Sequence, residues 1–154
     1  MPRHRRAFAL GLLAALAVAA PAVAVTQRGC DTFEANARNL VFPPELSTRS
    51  HANGAVRLLW LDTGGEPACC SSHLMVTLPS PEDPGDLCVL ISGDPGWTHI
   101  DLAQARAAYD PATGLTLRMA VGAFDGNRTV AETLSVTIDQ QSGTVTARQT
   151  PGTP

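Results

Sequence analysis

Beyond residue 55 the chain is cut into short pieces by turns, and no long helix survives such punctuation. Asp62-Thr63-Gly64-Gly65, Pro79-Ser80-Pro81-Glu82-Asp83-Pro84-Gly85 and Ser92-Gly93-Asp94-Pro95-Gly96 interrupt the first part. Asp110-Pro111-Ala112-Thr113-Gly114, Asp125-Gly126-Asn127 and Asp139-Gln140-Gln141-Ser142-Gly143 interrupt the second. Pro removes a backbone donor and fixes φ, Gly accepts positive φ, and Asp caps its own turn, so each cluster ends an element for a physical reason. The pieces between them alternate. Leu74, Val76 and Leu78 interleave with Met75 and Thr77, and Leu87, Val89 and Ile91 repeat the period of two. Such alternation makes a strand with one buried face. The expected class is all-β: an antiparallel sandwich or small barrel of about seven or eight short strands, with an irregular N-terminal arm.

Three finer expectations follow. If residues 79–85 turn a hairpin, Leu78 faces Leu87, Val76 faces Val89, and residue 88 lies opposite 77. His73, Met75 and Cys88 then share the second face of that hairpin. Leu102–Tyr109 is rich in Ala, but the turn at 110–114 favours a strand paired with Leu115–Val121 over a helix. Residues from Leu115 to Arg148 read as a meander of about four strands.

The N-terminus is built differently. Arg3, His4, Arg5 and Arg6 precede an apolar run from Ala7 to Ala20, and Ala22-Val23-Ala24 is a small-x-small cleavage pattern. These are the three parts of a secretory signal peptide. Residues 1–24 are therefore expected to be removed between Ala24 and Val25, placing the protein in the periplasm or outside the cell. Arg5-Arg6-Ala7-Phe8 is similar to part of a twin-arginine signal, so the export route stays open. The rest divides into an irregular arm over 25–54, tied down by Cys30, and a β domain over 55–150. No later segment is apolar for long enough to span a membrane as a helix.

Charge narrows the partners. The chain has 11 Arg and no Lys. From Val25 onward eight Arg stand against 14 Asp and Glu, a net charge of −6. Neither a nucleic-acid footprint nor a surface for anionic lipid is expected from that balance. The missing Lys excludes a P-loop lysine or a Schiff base, and no cofactor is expected. No Gly-x-Ser-x-Gly nucleophile elbow occurs.

Cys30, Cys69, Cys70 and Cys88 are an even set in an exported chain, which reads as a disulfide framework with three possible pairings. Adjacent Cys69 and Cys70 would default to separate partners, since a bond between neighbours closes a strained ring. The hairpin register argues the other way. It keeps residue 88 away from 69 and 70, and raises Cys30–Cys88.

Two patterns invite chemistry. Leu59-Trp60-Leu61-Asp62-Thr63-Gly64 resembles the hydrophobic-Asp-Thr-Gly element of aspartic peptidases, which would make Asp62 one of two carboxylates in a dimeric site. It departs from that family at bulky Trp60 and at Gly65, and Ala120-Val121-Gly122 is only a distant match to its supporting element. Asp62 is accordingly expected to cap its own turn. Cys70, His73, Met75 and Cys88 combine the ligands that soft copper prefers, a faint similarity to blue-copper proteins. That family spaces His and Met further apart and keeps the cluster near the C-terminus. His51 and His99 read as surface residues, and Trp60, Trp97 and Tyr109 as core rather than a sugar-stacking platform. The reading that remains is an exported, disulfide-stabilised, non-catalytic binding or interaction module, its partner a protein or small ligand of unknown identity. A periplasmic copper-type protein and a dimeric aspartic peptidase are the alternatives.

Overall fold

The computed structural model describes residues 25–64 and 68–154; the expected leader, with Ala24, lies outside them. Ten strands form one antiparallel sheet, nearly closed into a barrel. They are β1 (Val25–Gly29), β2 (Thr48–His51), β3 (Val56–Asp62), β4 (Ser72–Pro79), β5 (Asp86–Gly93), β6 (Trp97–Ile100), β7 (Arg106–Asp110), β8 (Gly114–Phe124), β9 (Thr129–Asp139) and β10 (Thr144–Pro151). The order around the barrel is β1-β5-β4-β6-β8-β9-β10, with β2–β3 attached to β4 and β7 to β8.

The hairpin registers follow from turn chemistry. Asp110 Oδ1 accepts the N–H of Ala112 at 2.7 Å, and Asp139 Oδ1 that of Gln141 at 2.9 Å. Gly114 and Gly143 then take φ of 90° and 70°, which side chains with a Cβ resist. The β4–β5 pairing joins Leu78 to Leu87, Val76 to Val89 and Thr77 to Cys88, as the alternation requires. Tyr109 pairs with Leu115 and Arg106 with Arg118, so the Ala-rich segment ends in a strand.

Several expectations need correction. The described residues form ten strands against the seven or eight expected, because β1 and β2 frame the arm. Val25-Thr26-Gln27-Arg28-Gly29 and Thr48-Arg49-Ser50-His51 carry no apolar alternation, and backbone pairing to β5 and β3 is what orders them. The meander after residue 114 has three long strands, not four. The Gly93–Gly96 segment does not reverse the chain. Both β5 and β6 run antiparallel to β4, so the strand kinks there and continues in the same direction.

One face of the sheet lines the core. Val56, Leu58, Leu74, Val76 and Ile91 meet Leu117, Met119, Leu134, Val136 and Ile138 around fully buried Trp97. Each such aliphatic side chain contributes about 1.5–3 kcal/mol by leaving water. Polar groups in this interior are satisfied. Trp97 Nε1 donates to Gln149 Oε1 at 2.8 Å, and Gln149 Nε2 donates to Glu132 Oε2 at 2.8 Å.

The arm makes a second, smaller layer. It leaves β1 beside β5 and reaches the far edge of β3, where Leu40 bridges Leu61 and the Val41 N–H donates to Trp60 O. To do so it crosses the outer face of β5, β4 and β3. Leu61 and Leu90 are fully buried on that face, outside the main core. The buried Asn39 side chain donates to the carbonyls of Phe33 and Glu34, and the Ser47 hydroxyl to Val41 O, so the arm is cross-linked to itself. No described helix is long and apolar enough to cross a membrane.

Candidate functional site

Of the residues singled out from sequence, Cys30, Cys88, His73 and Met75 lie on or beside the β4–β5 face that the arm crosses. Gly29 pairs with Val89, so the next positions outward, Cys30 and Cys88, face each other; they are bonded, with Cα atoms 5.5 Å apart. The bond fixes the root of the arm to β5. Cys69 and Cys70 are joined to each other within a single 3-10 turn, Ala68–Cys70. Separate partners for the neighbours, the default expectation, are therefore not what the fold uses. Gly96 accommodates this turn: a Cβ there would lie 2.5 Å from Cys70 Cβ.

His73 is buried on β4, two residues from half-buried Met75 on the same face. Its Nδ1 lies 2.7 Å from Ser92 Oγ on β5. Burial pushes its pKa below the ordinary value, and nearby Arg28 adds to that, while Glu34 and Asp62 pull the other way. Glu34 pairs with Arg28 at 2.8 Å. Its carboxyl is held below the usual range, chiefly by its own backbone N–H.

This geometry bears on the copper arrangement. Cys70 and Cys88 sit in two different disulfides, and no free cysteine is present. A disulfide sulfur is not a thiolate, so the set of Cys70, His73, Met75 and Cys88 lacks the anionic ligand that draws copper. Among the described residues no group of three His, Cys, Asp or Glu converges as a metal site. Asp62 closes its own turn: Oδ1 accepts the Gly64 N–H at 2.9 Å.

Other expectations divide. Trp97 is core, and Trp60 packs partly against the core with Nε1 donating to Ser72 Oγ. Tyr109 is not core but 67% exposed, because β7 hangs beyond the barrel on β8. His99 is exposed as expected, whereas His51 is half-buried with Nε2 enclosed and unpartnered. Sequence reasoning passed over the arm's own apolar side chains. Phe33, Phe42 and Leu46 are 60%, 74% and 49% exposed. Large apolar residues in a polar, Pro-broken segment outside any strand were the available signal.

Fold and site together define a disulfide-stabilised antiparallel β domain with a covalently anchored arm. No protein family, curated protein or solved structure matches the chain.

Proposed function

We propose that the chain is an exported, non-catalytic interaction module whose arm presents apolar side chains to a protein partner. One observation carries this reading: among the described residues, three of the four exposed large hydrophobics, Phe33, Phe42 and Leu46, lie on one short segment that a disulfide holds to the sheet. Apolar side chains kept in water by a fixed scaffold favour association, and pre-ordering lowers its entropic cost. Export is supported by the leader pattern and by two disulfides, which persist in oxidising compartments.

The test is a photo-reactive amino acid at Phe42 in the producing cell, with the same group at Thr144 as control. A discrete protein adduct is expected from Phe42 alone, abolished by Leu46→Asp. Adducts from both positions, from neither, or undiminished by Leu46→Asp would reject the arm as a docking element.

A further inference from the structure

We infer that the outer face of β7–β10 is a docking surface for an acidic polysaccharide bearing carboxylates, separate from the arm. Eight arginines follow Val25. Arg28, Arg57 and Arg128 pair with Glu34, Asp86 and Asp125. Arg49 donates to the carbonyls of Glu45, Thr48 and Ala103, and Arg38 lies 4.3 Å from the Phe33 ring centre. Three remain, Arg106, Arg118 and Arg148, all exposed and with no side-chain partner among the described residues.

Those three stand in one line across the sheet. Arg106 is opposite Arg118, Arg118 opposite Ser135, and Ser135 opposite Arg148. Strands lie about 4.8 Å apart, so Arg118 and Arg148 are separated by about 10 Å. Like charges directly opposite each other weaken a sheet, and Arg106–Arg118 is such a pair. The adjacent row on one side is neutral, Ala108, Thr116, Thr137 and Thr146; on the other Ala120, Thr133 and Thr150 continue from Asp101. The nearest carboxylate on this face is Asp101, placed opposite Ala120 by its N–H bond to Ala120 O and turned onto the Gln104 N–H. Asp110 and Asp139 are four residues along, about 13 Å away, and turned onto their own loop N–H groups.

The chemistry selects the occupant. A line of guanidinium groups gives forked donors that match carboxylates two hydrogen bonds at a time. Among the flanking hydroxyls Thr116 and Thr137 bond each other and Thr133 donates to Gly152 O, which leaves Ser135, Thr146 and Thr150 to donate and accept as sugar hydroxyls do. A protein partner would look for an aromatic or aliphatic anchor at the centre of its interface, and these rows offer only Arg, Thr, Ser and Ala. Single-stranded nucleic acid would find no aromatic platform in these rows, and a bilayer no large apolar side chain to insert.

The experiment measures binding of the full-length chain to oligogalacturonate by calorimetry at low and moderate salt. Neutral galactan oligomers, polyglutamate and phosphatidylglycerol vesicles are run beside it. Oligogalacturonate is expected to bind, more weakly at higher salt, and the neutral oligomer not to bind. Arg118→Gln and Arg148→Gln should each weaken binding about tenfold or more, the worth of one charged hydrogen-bond pair. Arg128→Gln, whose arginine is paired in a turn, should leave it unchanged. Arg118→Gln should melt at or above the wild-type temperature, since it relieves a like-charge pair, so its loss of binding will not reflect unfolding. No binding of oligogalacturonate, binding insensitive to both substitutions, or equal binding of polyglutamate or vesicles overturns the assignment. A persisting Phe42 adduct in that event leaves the arm reading intact.

Discussion

The indole N–H of Trp97 on β6 donates to the Gln149 side chain on β10 across the barrel interior, and Gln149 passes the connection to Glu132 on β9. Neither Trp97 nor Gln149 has meaningful access to water. An indole N–H enclosed without an acceptor loses its full hydration. Gln149→Ala should therefore destabilise the fold by about 1–3 kcal/mol from that orphaned donor alone, with a further loss from the cavity. Urea denaturation followed by the fluorescence of Trp60 and Trp97 measures it. An unchanged midpoint would show that Trp97 does not depend on Gln149.

The two disulfides should differ in worth. Cys30 and Cys88 are 58 residues apart, and cross-linking so long a loop restricts the unfolded chain strongly. Cys88→Ser should cost about 2–5 kcal/mol. Cys69 and Cys70 close no loop, so replacing both with Ser should cost clearly less. Melting temperatures of the two variants test the ranking, and a thiol titration of the denatured, unreduced protein should find no free thiol. Equal melting of the Cys88→Ser variant and wild type would mean that the arm's root is held without the bond.

Asp62 is expected to serve its turn and not a hydrolytic step. Asp62→Asn keeps an oxygen acceptor but loses the charge that strengthens the bond to the Gly64 N–H. A stability loss on the order of 1 kcal/mol is expected. Neither wild type nor variant should cleave unfolded polypeptide at acidic pH. Cleavage present in wild type and absent in the variant would establish an aspartic peptidase.

Stability should depend on pH through His73. Burial lowers its folded pKa beneath the unfolded value of about 6.5. The unfolded chain therefore takes up a proton first as pH falls, so stability is full above about 6.5 and declines as pH drops through the folded value. His51, also lowered by burial and by Arg49, acts in the same direction. His73→Gln should flatten part of the slope between pH 7 and pH 5. A slope identical to wild type would remove His73 as its source.

How much of this was legible differs by residue. The β4–β5 register, and with it the position of Cys88, could be read because Leu74, Val76, Leu78, Leu87, Val89 and Ile91 alternate without a break. The Asp110, Asp125 and Asp139 turns could be read because each Asp carries its own capping oxygen. Strands β1 and β2 could not, since their order comes from partners distant in sequence. The kink at Gly93–Gly96 resembled a turn because Gly and Pro punctuate both. The arginine line could not be read either. Arg106, Arg118 and Arg148 become neighbours only when three registers are known together.

The anchoring of β1 has a consequence for the order of folding. Its five residues find their hydrogen-bond partners only in 89–93, and Cys30 finds its sulfur only at 88. The hairpins of β7 to β10, by contrast, close over short loops, and local closure is the quick step for a β protein. β1 is thus a strand that must wait, its polar backbone hydrated, until the chain has extended to residue 93. Under the proposed export, that wait leaves Cys30 as a free thiol while Cys69 and Cys70 are made ahead of Cys88. A bond between Cys69 and Cys70 formed in that interval would leave Cys88 as the one partner for Cys30.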